Sequence, residues 1–392
     1  MVQLGAKVNL VICQKSKIED WIEHFESNYP MLVIDLSKLK PKEYVQIGSF
    51  GTRGKKQVVL IINYELAFRR PELLKLTDFT LMLDESSMIQ NETAKRTKFI
   101  MKLNFKNLIL LSGTPTSGKY ENLWSQLHLL GWNISKDLYW RQYVDTEVID
   151  NQGFPIKIVK GYKNVERLKQ KMRDYGCRFL KTDEVFDLPD QIWNTVKVPA
   201  SKEYWKFKKD RIIEMPATKF VNDFKEFVGD TTLTNMLYQR MLCGSYSSNK
   251  LEALKDLLVS TEDRVIIFYN FNNELKAIED LCIELDKPVS IVNGQTKDLS
   301  MYDEYNNTVT LIQYQAGSMG LNLQKANKIV YFTPTLSSEL FEQSKKRIHR
   351  IGQDQTCFYY KLVCTGSIEE KIYETLDMRK DFTDELFREK GE

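Results

Sequence analysis

Near the carboxyl end of the chain, Gln343-Ser344-Lys345-Lys346-Arg347-Ile348-His349-Arg350-Ile351-Gly352-Gln353 gathers side chains that suit phosphate chemistry. A helix here would place Gln343, Arg347 and Arg350 at i, i+4 and i+7 on one face. Phe341, Ile348 and Ile351 would then turn to the opposite side, and Gly352 would end the helix. Guanidinium groups stay charged, and their planar forks match the oxygens of a phosphate undergoing transfer. A second candidate lies far upstream, where the apolar run Leu81-Met82-Leu83 ends abruptly in Asp84-Glu85-Ser86-Ser87. The Asp84 carboxylate suits Mg2+, which takes oxygen ligands, and an adjacent Glu85 can orient or deprotonate a water that attacks phosphorus. Each pattern alone has a plainer reading. Arg-x-x-Arg also marks a solvated basic face, and Asp-Glu is a common turn after a strand.

Such groups need elements to bring them together. Apolar runs at 8–12, 31–34, 58–62, 81–83 and 108–111, separated by polar or helical stretches, indicate a parallel sheet covered on both faces. Ser16-Lys17-Ile18-Glu19 has the capping-box spacing, and Ile18, Trp21, Ile22 and Phe25 recur as the apolar stripe of a helix laid on that sheet. A second series of runs at 265–269, 289–292, 309–312, 329–332 and 358–363, with a helix at 273–285, predicts another α/β domain. Between them, 145–159 reads as a hairpin turning at Asn151-Gln152-Gly153, and 201–258 as mostly helical. Tyr204, Trp205, Phe220, Phe224 and Phe227 are expected to be core residues of those helices. In open parallel sheets ligands bind beyond the carboxyl ends of the strands, where Asp84 and Glu85 fall.

Composition narrows the class without naming a partner. The 392 residues include 42% hydrophobic and 28% charged side chains, in keeping with two globular domains. No apolar run approaches the ~20 residues of a membrane span, and no secretory signal opens the chain, so the expected compartment is the cytoplasm. Six cysteines, scattered without a Cys-x-x-Cys pair, and three histidines argue for reduced thiols and against a structural zinc site. The net charge of +3, from 56 basic and 53 acidic side chains, predicts no nucleic-acid partner by itself. A polyanion would have to be held by local patches.

Taken in order, the motifs resemble those of the Swi/Snf-related ATPases of helicase superfamily two. Gln-x-x-x-Arg-x-His-Arg-x-Gly-Gln is similar to the last motif of that family, Asp84-Glu85 to its Asp-Glu-x-x box, and Ser112-Gly113-Thr114-Pro115 to its coupling motif. Glu121-Asn122-Leu123-Trp124-Ser125-Gln126-Leu127 looks like the helix that follows. Arg178 to Glu184 with Leu188-Pro189 resembles the passage between domains, and Gln315-Ala316-Gly317-Ser318-Met319-Gly320-Leu321-Asn322-Leu323 the Gly-x-x-Gly-x-Asn-Leu motif. The resemblance implies two RecA-like parallel-sheet domains, 1–188 and 189–392, the second with a helical segment at 201–258. It implies an ATP-dependent translocase or helicase with ATP and Mg2+ bound between the domains. Glu85, Arg347 and Arg350 would be catalytic, and Asp84, Glu85, Gly320, Gln343, Arg347 and Arg350 would bind ATP and Mg2+. Ser112, Gly113 and Thr114 would couple the nucleotide to double-stranded DNA, held through its phosphates by Lys15, Ser16, Gly317 and Asn322. Plainer roles remain beside these: a helix cap for Ser16, and turns for the glycines.

Two departures qualify the resemblance. Phe332-Thr333-Pro334-Thr335 stands where the family has Asp and Trp-Asn-Pro, so contacts of that loop are not carried over. The family's phosphate-binding loop, ending in Gly-Lys-Thr or Gly-Lys-Ser, belongs ahead of the strand at 8–12. The expectation is a first domain truncated at its amino terminus, in a compact bacterial or viral-type member. Gly113-Thr114-Pro115-Thr116-Ser117-Gly118-Lys119 has the loop's outline, but Tyr120 replaces the hydroxyl that ligates Mg2+ and Pro115 lacks an amide donor. Competing expectations are a non-hydrolysing DNA-binding remnant, or one half of a split enzyme completed by a separately encoded loop segment.

Overall fold

A computed structural model describes residues 1–40, 43, 57–113, 115–151, 154–180, 187–215, 225–317 and 321–387. The chain forms two compact units, Met1–Phe179 with Arg379–Glu392, and Leu180–Met378. In the first, β1 (Val8–Cys13), β2 (Leu32–Asp35), β3 (Val58–Asn63), β4 (Phe79–Asp84) and β5 (Phe105–Leu111) make one sheet in the order β2-β3-β1-β4-β5. Every pairing in it is parallel. Side chains alternate across such a sheet, so a strand covered on both faces is apolar along most of its length. Val11, Cys13, Val59, Ile61 and Met82 pack under Ile18 and Phe25 of the helix Ile18–Asn28. Leu10, Ile12, Leu60, Ile62, Leu81 and Leu83 face a second layer that includes Leu73, Ile89 and Ile100. A hairpin, β6 (Val144–Asn151) with β7 (Phe154–Tyr162), follows beside a smaller aromatic cluster around Tyr120, Tyr139 and Tyr143.

The second unit adds β8 (Gln191–Pro199), a hairpin of β9 (Ile212–Met215) and β10 (Lys225–Val228), and then β11 (Val265–Tyr269), β12 (Val289–Val292), β13 (Lys297–Asp298), β14 (Val309–Gln313), β15 (Lys328–Tyr331) and β16 (Cys357–Thr365). Its main sheet runs β13-β12-β14-β11-β15-β16-β8, and only the β12–β13 pair is antiparallel. Ile266, Phe268, Ile312, Ile329 and Tyr331 build one core with Phe341, Ile348 and Tyr373. Val265, Ile267, Tyr269, Leu311 and Val330 build the other with Leu254, Leu258 and Ile278.

Several sequence expectations need correction. The helix expected to run to Gly352 is Ser338–Lys345 only. The Tyr359 hydroxyl donates to the Lys345 carbonyl (3.0 Å), and Arg347 N closes a shorter turn onto Ser344 O (3.2 Å), so Arg347 and Arg350 lie in turns. Gly352, at φ +90°, shapes the last of these turns rather than a helix end, and Ile351 is 61% exposed. No capping box forms at Ser16, because a 3-10 turn, Lys15–Lys17, precedes the helix and its N-cap, Lys17, makes no side-chain cap. Segment 201–258 contains the β9–β10 hairpin as well as the helices Lys202–Asp210, Thr232–Gly244 and Ser248–Val259. Tyr204 and Phe227 are buried, whereas Trp205 is exposed. Phe220, Phe224 and the Gln152-Gly153 turn lie outside the described residues.

Lys250, Glu369 and Glu274 are buried ionisable groups of the second unit. Lys250 donates to Glu369 (2.5 Å) with both residues at most 1% exposed, and removing one partner of such a pair strands the other charge. Lys250→Met should lower unfolding stability by ~3–5 kcal/mol, and Lys250→Met with Glu369→Leu should recover much of that in denaturant titrations. A single variant as stable as wild type would contradict the pairing. Burial pushes the Glu274 carboxyl up to about 7, against the backbone amides of Asn270 and Phe271 that favour its ionised form. The folded state therefore keeps a proton that the unfolded chain releases near its ordinary value of 4.5, and stability falls as pH rises through that window. Glu274→Gln should remove this slope, which amounts to ~3 kcal/mol between about pH 4.5 and 7. Midpoints measured at pH 5 and pH 8 check it, and an unchanged slope in the variant would contradict it.

Candidate active site and polyanion contacts

In unit 1 the register carries distant segments to one edge. Ile12 lies beside Ile62 and Leu83, and Asp84 beside Leu111, so the chain leaves β1, β3, β4 and β5 on the same side of the sheet. Lys15 and Ser16 are exposed just past β1. Asp84 ends β4, and Trp21 Nε1 donates to its Oδ2 (2.9 Å). Among the described residues no other side chain bonds the Asp84 carboxylate. Tyr64, buried just past β3, donates its hydroxyl to the carbonyl of Asp84 (3.0 Å). Burial and the neighbouring Asp84 and Glu85 carboxylates hold this phenol well above its ordinary pKa, which keeps it a donor. The same causes, burial first and then Asp84, push the Cys13 thiol up to about 12.

Glu85 sits at φ 57°, ψ 60°, a left-handed backbone that costs a residue with a side chain ~1–2 kcal/mol. Strain of that kind persists where neighbours over-determine it. Ser112 Oγ (2.9 Å) and Ser87 Oγ (3.1 Å) both donate to Glu85 Oε1, so the end of β5 is tied to the acidic pair. The next segment is fastened in turn. Gln126 and Gln90 both donate to Pro115 O (2.8 and 3.0 Å), Ser86 donates to Gln126 (2.8 Å), and Asn122 links Gln90 to Thr116 O (both 3.0 Å). Of the three proposed coupling residues, Ser112 is thus joined to Glu85, Gly113 is exposed, and Thr114 lies outside the described residues. Tyr64 and Gln90 were not singled out from the sequence. Their local signal is weak: Tyr64 follows Asn63 at the end of an apolar run, and Gln90 follows Met88-Ile89.

In unit 2 the arginines meet the Asn-Leu segment. Arg347, 8% exposed, points Nη1 at Leu321 O (3.5 Å), while its own carbonyl accepts Leu323 N (3.1 Å). Arg350 Nη1 bonds the exposed Asn322 through Oδ1. Gln353, itself buried, pins the turn by donating to Ala326 O (2.8 Å) and Ile348 O (3.3 Å). Gln343 stays on the helix and donates to Glu339 (3.4 Å), so it does not share a helical face with the arginines. Gly317 closes a short helix, Tyr314–Gly317, and Gly320 lies outside the described residues. One cluster was invisible in the sequence spacing. Cys243, Cys364 and Glu369 bring their donor atoms within 4.8 Å of one another, and the Lys250 ammonium already answers the Glu369 carboxylate. Among the described residues no helix is long and apolar enough to cross a membrane.

Comparison with known proteins bears on these groups. The SNF2-related domain matches residues 3–283, and the helicase conserved C-terminal domain matches 249–352. The chain is 26% identical to the ISWI chromatin-remodeling complex ATPase ISW1 of Saccharomyces cerevisiae, over 93% of this chain and 34% of that protein. It is 25% identical to the putative ATP-dependent helicase/translocase YwqA of Bacillus subtilis, over 97% of this chain and 43% of that protein. A solved Sulfolobus solfataricus SWI2/SNF2 ATPase core in complex with dsDNA aligns over 97% of this chain and 82% of that one, at 20% identity and a TM-score of 0.38. The chain thus spans about a third to under half of the first two curated relatives. With the SNF2-related domain matched across most of its residues, the chain belongs to the SNF2-related, Swi/Snf-type family of helicase superfamily two.

Proposed function

We propose that the chain is the motor core of an ATP-driven, Swi/Snf-type translocase on double-stranded DNA. What supports this most is the junction in unit 1, where the strained Glu85 is bonded to Ser112 at the same edge that exposes Lys15 and Ser16. Asp84 fits a divalent cation, since its Oδ1 faces no donor among the described residues and Mg2+ takes oxygen ligands. When bound, such an ion supplies positive charge to the phosphate oxygens.

Glu85 orients a water and takes its proton as the water oxygen bonds the terminal phosphorus of ATP and the bridging oxygen leaves with ADP. Arg347 and Arg350, assisted by Gln343 and the Gly320 segment, meet the charge that develops on the phosphoryl oxygens. Ser112, Gly113 and Thr114 relay the state of Glu85, and Lys15, Ser16, Gly317 and Asn322 hold DNA phosphates without regard to base sequence. Residues 1–392 contain no Gly-Lys-Thr or Gly-Lys-Ser, so in this proposal the loop that holds the β- and γ-phosphates is contributed from outside them.

The residues alone, with duplex DNA, should turn over ATP only weakly, and supplying the loop segment should restore DNA-stimulated hydrolysis. In that completed protein Glu85→Gln should lower kcat by ~10²-fold or more, and Arg350→Ala by ~10³-fold or more with DNA affinity nearly unchanged. Hydrolysis that survives Glu85→Gln would remove that residue from the chemistry. Fast hydrolysis by residues 1–392 alone, lost in Glu85→Gln, would overturn the external loop but uphold the motor. No hydrolysis with the loop supplied would favour a binding-only protein.

A further inference from the structure

Residues 332–334 bridge β15 and the arginine-proximal helix Ser338–Lys345, and side chains from other elements hold all three of their carbonyls. Lys250 Nζ donates to Phe332 O (2.7 Å). Tyr314 Oη (3.1 Å) and Asn270 Nδ2 (3.3 Å) donate to Thr333 O. Asn270 Nδ2 (3.1 Å) and Arg240 Nη2 (3.2 Å) donate to Pro334 O. The Thr333 hydroxyl accepts from Asn270 Nδ2 (2.8 Å) and donates to Glu274 Oε2 (3.0 Å). That same carboxylate oxygen receives the amides of Asn270 (2.8 Å) and Phe271 (3.1 Å).

A connecting loop ordinarily satisfies its carbonyls with water at the surface. Here the bridge is buried, with Phe332 0% and Thr333 1% exposed, and so is its partner Glu274. Burying so many polar groups is costly even when they are paired, and apolar packing would stabilise a connection at least as well. The neighbouring helix is shaped around the arrangement, since a Cβ on Gly244 would stand 1.8 Å from Glu274 Oε1. The charged and titratable groups facing Glu274 are Arg240, Lys250, Tyr269 and Tyr314, from four different elements.

We propose that this buried network is a positioning device: Glu274 and Thr333 fix the bridge, and through it the path of the chain that carries Gln343, Arg347 and Arg350. The bridge, Phe332-Thr333-Pro334, stands where the family has Asp and Trp-Asn-Pro, and here it is held by Lys250, Tyr314, Asn270, Arg240 and Glu274. The functional half of the inference rests on the reading of Arg347 and Arg350 as phosphate-facing groups, whereas the structural half does not.

Amide hydrogen exchange on Glu274→Ala, Glu274→Gln and Thr333→Val tests it, with turnover measured in the loop-completed protein. Glu274→Ala and Thr333→Val should speed exchange in 335–353 by about tenfold or more while β11 and β14 stay protected. Glu274→Gln, which keeps an acceptor oxygen, should remain near wild type. Turnover should show kcat falling about tenfold in the first two variants with KM within about twofold. Exchange that rises evenly across the unit, or a Gln variant as loose as the Ala variant, would overturn the positioning role. Selective loosening with turnover indifferent to Arg350→Ala would leave that role standing and overturn the phosphate reading of the arginines.

Discussion

Parallel pairing in tight register is the constraint on which the rest of this chain depends. Because β1, β3, β4 and β5 all run the same way, four segments separated by up to a hundred residues leave their sheet at one edge. β1, β3 and β4 are largely apolar on both faces, and the acidic pair falls at the carboxyl end of β4. Asp84, Glu85, Tyr64 and Ser112 meet for that reason. Reversing β4 or β5 would send its exit to the far side, and the bond from Ser112 to Glu85 would be lost.

Unit 2 obeys the same rule with a different outcome at its edge. There the strand ends are closed by polar clamps, and the chain that follows is folded into turns rather than carried on a long helix. Arg347 and Arg350 are oriented by hydrogen bonds to Leu321, Leu323 and Asn322, so two stretches some twenty-five residues apart are structurally one. Preorganised guanidinium groups lose little freedom when charge develops near them, which is the condition for efficient electrostatic stabilisation.

The central strand Val265–Tyr269 was legible because burial on two faces leaves a continuous apolar run, and at Val289–Val292, a run interrupted only by the buried Ser290, expected and observed bounds also coincide. The edge strand β8 was not, because Ile192 and Trp193 are substantially exposed and its pattern is half polar. Likewise the end of the helix at Lys345 has no local cause. It is imposed by Tyr359 and by Gln353, whose contacts form only when the sheet does. The acidic pair was found by its abrupt position after an apolar run, whereas the bond from Ser112 and the left-handed backbone of Glu85 are tertiary facts. The resemblance supplied roles that no spacing could. Placement of the groups came from the fold.

Central to the proposed motor is that the edge bearing Glu85 also faces a phosphate backbone. The most direct measurement is the affinity of the protein for two duplexes of unrelated sequence across a range of salt concentrations, with and without Lys15→Ala. The expected result is log K falling linearly with log salt along one line for both duplexes, with a slope shallower by ~0.9 in the variant for each phosphate that it no longer neutralises. Affinity indifferent to salt, or differing by more than about tenfold between the duplexes, would contradict it.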